Sequence, residues 1–435
     1  MISLEDTIVA CSSPLGVGAI SSIRVSGPDS GEVYTKISCK ELVHFNVIIK
    51  EIPLAVDIKE KCVLTSYKNP SSYTGEDSFE ISCHGNPLIV DLIIDHLISL
   101  GCRLAEPGEF TMRSFLNGKI GLVEAEAVSD LIHAETLEKV RAVGRSLKGE
   151  FTTEIDKIIL NLREIRTLVE SEIDFNDQEI NIDFSRIKGN LESFSNLLSS
   201  FISTTEEAVY LNEGINTVIT GPTNVGKSTL MNYLSKNETS IVSEISGTTR
   251  DLVSKSFKIG NHVFNFCDTA GITKDSSDPI ERKGISMAEK ALLECDLVIE
   301  LVDDKNINYK KVYPDKKVLR VINKIDRFKN KDTGLLGISL KTKTNLENLE
   351  EALIKTAFGS GKPKLKSFSA RSRHLGLLRE CYKEIEAANV IDIEDSIELF
   401  AEHLKLGSLK LGQIKNPYSS DDLLGDIFAN FCIGK

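Results

Sequence analysis

Gly221-Pro222-Thr223-Asn224-Val225-Gly226-Lys227-Ser228 fits G-x-x-x-x-G-K-[ST], the signature of a phosphate-cradling loop. An alternating apolar run, Ile215–Thr220, precedes it and reads as a strand. Thr229–Lys236 follows and reads as a helix, so the motif has the strand–loop–helix setting it needs. Few sequence features restrict a fold as tightly. The loop's two glycines let backbone N–H groups turn inward onto phosphate oxygens, and the helix N-terminus adds a favourable dipole. Asn224, Val225, Gly226, Lys227, Ser228 and Thr229 line that turn. Lys227 supplies a point charge to the outer phosphates, and the Ser228 hydroxyl is placed for Mg²⁺.

Three later segments narrow the ligand to GTP. Asp268-Thr269-Ala270-Gly271 follows an apolar strand ending at Cys267. Its aspartate can hold Mg²⁺ through water, and the Gly271 N–H can reach a γ-phosphate. Asn323-Lys324-Ile325-Asp326 follows another apolar strand. The Asp326 carboxylate can accept two hydrogen bonds from the guanine N1–H and N2 amino group. Adenine lacks that donor pair, which permits discrimination on the order of 10⁴-fold. Ser339-Leu340-Lys341 stands where the last guanine-contacting loop belongs. Between the phosphate loop and Asp268 lies Gly247-Thr248-Thr249-Arg250-Asp251, positioned as a switch loop, with Thr249 the expected second hydroxyl on Mg²⁺.

One catalytic part is missing. Many small GTPases place a water-orienting glutamine directly after the Asp-x-x-Gly segment. Here that residue is Ile272, which has no polar group. Glu281, in the polar stretch Thr273–Lys283, is the expected substitute. Spacing singles out no arginine finger, and Arg250 and Arg282 both stand open. A monovalent cation could neutralise transition-state charge instead, with the Asn224 carboxamide as one ligand.

The remaining chain divides by pattern. Residues 1–117 mix short β-rich runs (Thr7–Ala10, Ala19–Val25, Ser78–Cys83) with a helix over Pro87–Leu100. From 118 to 210 the apolar residues follow a helical period: Phe151, Ile155, Ile158, Leu162, Ile165 and Val169, then Ile187, Leu191, Phe194, Leu198 and Phe201. The period breaks near Asn176–Asp183. Residues 211–361 alternate strands and helices, with buried strands expected at Ile215–Thr220, His262–Cys267, Leu297–Val302 and Val318–Ile322. Helical pattern returns over 362–435, after a linker at Lys362-Pro363-Lys364. The expected fold is therefore multidomain α+β and α/β. An N-terminal α+β domain leads into a central helical domain that carries an inserted P-loop GTPase domain with a mainly parallel sheet.

Composition removes several alternatives. A net charge of −12 opposes nonspecific nucleic-acid binding, so an RNA partner must meet a local basic patch or a partner's surface. No basic n-region precedes an apolar stretch at the N-terminus, and the most apolar run, Leu88–Leu100, is too short for a membrane and contains Asp91 and Asp95. Nine cysteines without CxxC pairs argue against a zinc site or disulfide framework and fit a reducing cytoplasm.

Short matches run nearly end to end. They include Asp6-Thr7-Ile8-Val9-Ala10, Ile23-Arg24-Val25-Ser26-Gly27-Pro28, Tyr73-Thr74-Gly75-Glu76-Asp77, His84-Gly85, Pro107-Gly108-Glu109-Phe110 and Phe115-Leu116-Asn117-Gly118-Lys119. The chain closes on Phe431-Cys432-Ile433-Gly434-Lys435. With an embedded GTPase domain, this set resembles the MnmE (TrmE) family of tRNA uridine-modification GTPases. The resemblance implies an N-terminal domain that dimerises and binds 5-formyltetrahydrofolate or a related one-carbon folate. Its folate-contacting positions correspond to Arg24, Glu80, Lys119 and Lys435. It implies a K⁺ site at Asn224, Ser243, Ile245 and Thr248. The loop that completes it, Ser243-Glu244-Ile245-Ser246-Gly247-Thr248-Thr249, would also touch GTP. Glu281 matches the family's water-positioning glutamate, and Cys432 a cysteine needed for modification. The implied partners are a second copy, the flavoprotein MnmG (GidA) and tRNA, with no membrane. The implied product is a carboxymethylaminomethyl-type group at carbon 5 of the wobble uridine. Leu340 stands where the family usually carries alanine. A regulatory GTP-binding switch of the ribosome-assembly kind, without one-carbon chemistry, is the alternative function.

Overall fold

The computed structural model describes residues 5–174, 184–236, 254–267, 290–314, 316–327, 334–359 and 368–416, together with Phe428, Phe431 and Gly434. It divides into two compact units. The first comprises Met1–His133, Ser146–Leu160 and Ser408–Lys435, and the second Ala134–Arg145 and Asn161–Gly407.

In the first unit, strands β1 (Ile8–Cys11), β2 (Ile20–Ser26), β3 (Asn46–Ala55), β4 (Ile58–Tyr67), β5 (Ser78–His84) and β6 (Arg103–Leu104) form one sheet in the order β3-β4-β5-β2-β1-β6. Neighbours pair antiparallel except β1 and β6, which run parallel. Alternation along β1 and β2 sends Val9, Ile23 and Val25 to one face. There, helices α1 (Ser30–Ser38) and α2 (Pro87–Ser99) bury Val33, Tyr34, Val90, Ile93 and Leu97 against them. Asn86 caps α2 by accepting the Leu88 N–H, and Pro87 fills the first turn, where no amide is needed. Ile8 and Ala10 point to the other face, which α3 (Glu109–Leu116) covers through Phe110. The opposite side of α3 and helix α4 (Leu122–Ile132) meet Phe428 and Phe431 in a small cluster with Met112, Leu122 and Ala125.

Arg113 in α3 is fully buried and paired with Glu109, also fully buried, at 2.9 Å and with Glu76 at 3.2 Å. Arg103 adds a second cation on Glu109 at 2.8 Å. Burial works to raise the Glu109 carboxyl, but Arg103, the Glu106 N–H and Arg113 outweigh it and hold that group below its ordinary value.

The second unit takes in α5 (Leu137–Ser146) as far as Arg145, α6 (Glu150–Asp174) from Asn161 onward and all of α7 (Phe184–Glu213); α6 and α7 match the expected helical period. The break expected near Asn176–Asp183 lies outside the described residues. After α7 the chain enters β7 (Ile215–Thr220), α8 (Lys227–Lys236), β8 (Ser254–Ile259), β9 (His262–Cys267), β10 (Leu297–Val302), β11 (Lys317–Ile322), β12 (Leu336–Gly337) and α9 (Leu346–Phe358). Their sheet runs β12-β11-β10-β7-β9-β8 and is parallel except for edge strand β8, antiparallel to β9. Every residue of β10 is buried, as a central parallel strand requires. Helices α10 (Ser372–Asn389) and α11 (Ile397–Lys415) follow, the latter belonging to this unit as far as Gly407. Ser195 of α7 donates to Glu386 of α10 at 3.1 Å, and the Asn212 amide donates to the Ala370 carbonyl at 3.2 Å. The strand-bearing segment Ile215–Phe358 thus lies in sequence between α7, which ends at Glu213, and α10, which begins at Ser372.

The described cysteines are free thiols. Among the described residues, no helix is long and apolar enough to cross a membrane.

Candidate functional site

The phosphate loop leaves the C-terminal end of β7, between β10 and β9. Gly221 has φ +138°, and a Cβ there would lie 2.0 Å from the Leu301 carbonyl oxygen. Gly226 has φ +108°, and its Cβ would lie 2.4 Å from the Asn323 Nδ2. Both positions exclude any side chain on two counts, backbone strain and space. Between them Val225 is fully buried and anchors the loop in the core. Asn224 is exposed, in the left-handed region at φ +62°. Lys227 opens α8, and its ammonium donates to the carbonyls of Gly221 and Pro222, at 2.8 Å each. Partial burial lowers that ammonium from its ordinary value. The exposed Ser228 and Thr229 sit in the same first turn, where α8 presents its free N–H groups.

The base loop is tied to the phosphate loop by two side chains, Asn323 and Lys324. Asn323 is buried at the end of β11. Its Nδ2 donates to the Val225 carbonyl at 2.8 Å, and its Oδ1 accepts the Leu340 N–H at 3.2 Å. Lys324 adopts φ +66°, and its ammonium donates to the Asn224 carbonyl and, at 2.8 Å, to Asp303. Burial works to raise the Asp303 carboxyl, but hydrogen bonds from Lys324 and Asn306 hold it below its ordinary value. Asp326 is exposed, and the buried Ser339 hydroxyl donates to its Oδ1 at 2.7 Å. That bond keeps the Asp326 carboxyl below its ordinary value and leaves Oδ2 for a base edge. Leu340 packs against the apolar core of this domain, so the larger side chain has a place, while Lys341 is exposed.

The structure therefore brings together Asn224–Thr229, Asn323–Asp326 and Ser339–Lys341. Ser243, Glu244, Ile245, Ser246, Gly247, Thr248, Thr249, Asp268, Thr269, Ala270, Gly271 and Glu281 lie outside the described residues. Cys267, the last described residue before Asp268, pairs with Val218 beside the strand that feeds the phosphate loop. Asp303 belongs to the site and is absent from the motifs. Its only sequence signal is its place directly after the fully buried β10. Tyr313 also touches the site, donating to Thr220 at 3.2 Å, one residue before Gly221.

A second cluster occupies the first unit. Arg24 on β2 and Glu80 on β5 are direct cross-strand partners. The guanidinium donates from Nε at 3.0 Å and from Nη2 at 2.8 Å to Glu80 Oε1. Both lie on the sheet face covered by α3. Lys119 reaches the same region: its stem lies 3.1 Å from where a Gly75 Cβ would be, and its ammonium donates to the Pro70 carbonyl at 2.8 Å. Of the four expected folate positions, Arg24 and Glu80 thus meet each other, Arg24 lies over the Tyr73 ring, and Lys119 meets Pro70 and Gly75. Lys435 and Cys432 lie outside the described residues. Gly434 is described: with φ +91°, its Cβ would meet the Cys11 carbonyl at 2.2 Å, so the chain end seats against the end of β1. In register, β1 residue Ala10 lies opposite Arg24.

A family model described as the GTP-binding protein TrmE N-terminus matches residues 7–119, and one described as the MnmE helical domain matches residues 122–432. A tRNA modification GTPase MnmE of Methylococcus capsulatus is 35% identical over 448 residues, covering 99% of each chain. The protein of that name in Thiobacillus denitrificans is 37% identical over 448 residues, covering 99% of this chain and 98% of its own. Among solved structures, Aquifex aeolicus Era bound to GDP and aluminium fluoride is 28% identical, covering 39% of this chain and 65% of its own, with a TM-score of 0.26. The nucleotide domain is that of a GTP hydrolase, and the chain belongs to the MnmE (TrmE) family of tRNA modification GTPases.

Proposed function

We propose that this protein is a potassium-activated GTPase whose hydrolysis drives modification of the wobble uridine in certain tRNAs. The observation that carries this is the end-to-end match to MnmE proteins, reaching both the N-terminal unit and the helical segments that a plain GTP switch has no need of. Four domains are proposed: 1–117, 118–210, 211–361 and 362–435. In the nucleotide domain, the Lys227 ammonium swings from its carbonyl partners to the outer phosphates, and Asp326 with the Ser339–Lys341 backbone reads guanine. Ser228 and Thr249 would hold Mg²⁺. Asn224, Ser243, Ile245 and Thr248 would hold K⁺. The Asn224 carboxamide is exposed at the loop tip and has no partner among the described residues, which fits a ligand role. When bound, both cations supply positive charge to the phosphate oxygens as the bond breaks. Glu281 is proposed to orient the attacking water.

In the first unit, Arg24, Glu80, Lys119 and Lys435 would bind 5-formyltetrahydrofolate or a related folate. Arg24 offers donors, Glu80 an acceptor and Lys119 a charge, a set that suits a pterin with an acidic tail. The unit is proposed to form a homodimer. Phe45, Val47 and Ile49 leave 70, 59 and 66% of their surface exposed along edge strand β3 and the turn before it, an apolar face suited to a second copy. A flavoprotein of the MnmG (GidA) kind is the proposed partner for adding a carboxymethylaminomethyl-type group at carbon 5, in the cytoplasm. Cys432 is proposed to take part.

Two measurements test this. GTP turnover in KCl should far exceed that in NaCl, and Glu281→Ala should nearly abolish turnover while leaving GTP affinity intact. Mass spectrometry of wobble nucleosides from cells lacking the protein should show the modified uridines lost. Unchanged nucleosides would return the protein to the class of regulatory switches.

A further inference from the structure

Arg24 is held by more than its carboxylate. The Tyr73 ring lies 4.9 Å from the guanidinium carbon and the Phe110 ring 5.7 Å from it. Both rings are themselves fixed by α3. Phe110 is fully buried in that helix. One residue on, the Thr111 hydroxyl meets the Tyr73 phenol at 2.9 Å, and one turn later Ser114 donates to the Tyr73 carbonyl at 2.8 Å. Asn117 then donates to the Thr74 carbonyl at 2.8 Å. A single helix therefore sets both the ring and the loop that carries it.

We propose that Tyr73 is a positioning residue that lays the Arg24 guanidinium flat, so that its free Nη1 edge meets a hydrogen-bond-accepting group of the ligand. The identity of that ligand rests on the folate reading of this site. Glu80 occupies Nε and Nη2, and among the described residues Nη1 donates to nothing. Two rings crowd the guanidinium carbon, and Nη1 is left for recognition along the edge. A guanidinium with one edge ion-paired and its face on aromatic carbon loses little freedom on binding, which is what an oriented donor pair needs. The phenol hydroxyl is secondary. It anchors the ring, whereas the ring face supplies the cation–π attraction.

The test uses the full-length protein and two variants. Tyr73→Phe keeps the ring, and Tyr73→Met keeps apolar bulk without it, with Tyr73→Leu in reserve should the methionine variant not fold. Two readouts are taken. Phenylglyoxal labelling of Arg24, followed by peptide mass spectrometry, reports the clamp without any ligand. Binding of 5-formyltetrahydrofolate by calorimetry reports its consequence. Tyr73→Phe should match the original protein in both. Tyr73→Met should label several-fold faster at Arg24 and bind the folate roughly tenfold more weakly, whereas both variants, which alike lose the Thr111 hydrogen bond, should melt at similar temperatures. Arg24→Lys should not recover binding, because an ammonium has no planar edge. Labelling of Tyr73→Met at the original rate overturns the clamp, whether or not folate binds. Slow labelling of the original protein with no folate binding at all defeats the folate reading and leaves the clamp standing.

Discussion

Gly226→Ala and Asn323→Ala should fail to add, and the size of the shortfall follows from one distance. An alanine Cβ at 226 would lie 2.4 Å from the Asn323 Nδ2, at a φ of +108°. Two costs follow. The backbone angle strains any L-residue by about 1–3 kcal/mol. The collision displaces the amide from the Val225 carbonyl and leaves a buried acceptor unpaired, which costs another ~1–3 kcal/mol. Asn323→Ala removes the same bond together with that to the Leu340 N–H, at about 2–4 kcal/mol. With Asn323 already shortened, Gly226→Ala has nothing to strike and retains only its backbone strain. The double variant should therefore lie about 1–3 kcal/mol below the sum of the single losses. Fluorescent GTP affinity is the assay. Relaxation in the free loop does not hide the cost, since the loop must regain its wrapped form to hold phosphates. Each 1.4 kcal/mol is about tenfold in dissociation constant, so a coupling of this size is readily measured. Strict additivity, or a Gly226→Ala protein with ordinary affinity, would refute the collision.

Other perturbations reach the remaining parts. Ser339→Ala removes the hydrogen bond that keeps the Asp326 carboxyl low. Guanine needs the ionised carboxylate, so the acid limb of GTP binding should move to higher pH in the variant, with affinity at neutral pH little changed. Arg113→Ala strips two fully or largely buried carboxylates of a shared cation and should destabilise the first unit by about 3–5 kcal/mol in thermal unfolding, whereas Arg113→Met costs less only if Glu109 is neutralised with it. Because the Glu109 carboxyl is held below its ordinary value, its stabilisation is complete above the unfolded carboxylate pKa and is lost as pH falls through the folded one, so the melting temperature should drop on acidification. Gly434→Ala places a Cβ 2.2 Å from the Cys11 carbonyl and should unseat the chain end, which limited proteolysis of the C-terminal segment would detect.

The nucleotide domain was legible because its chemistry is local. A parallel strand buried on both faces reads as a nearly unbroken apolar run, as Leu297–Val302 does, and both it and the half-buried His262–Cys267 have the expected bounds. Motif residues then sit at the strand ends, so topology alone brings them together. The β3–β4 hairpin was missed for the opposite reason. Its strands alternate through Lys50-Glu51 and Lys59-Glu60-Lys61 and expose most of β3, so neither a continuous apolar run nor a clean two-residue period stands out. Edge strand β8, with Lys255 between two serines and Lys258 between Phe257 and Ile259, escaped in the same way. Helix α1 is only nine residues long and buries Tyr34 on Phe79, a packing decision that no short window contains.

What the site adds beyond its motifs is connection, and connection is long-range. Asn323 stands 98 residues from Val225, yet its amide determines whether the phosphate loop and the guanine loop hold one geometry. The sequence marks Asn323 as part of a guanine motif, but its observed partners are backbone groups of the other two loops. Lys324 repeats the pattern, 100 residues from Asn224, and carries the tie on to Asp303. If Asn224 grips a cation, its backbone carbonyl is already tied to the base loop. A guanine seated on Asp326 would then steady the same residue that completes the cation site. Base recognition and cation affinity should accordingly be coupled: GTP should raise the apparent affinity for K⁺ more than inorganic triphosphate does. Lys324→Met should reduce that difference, and an equal effect of both ligands in the original protein would break the link.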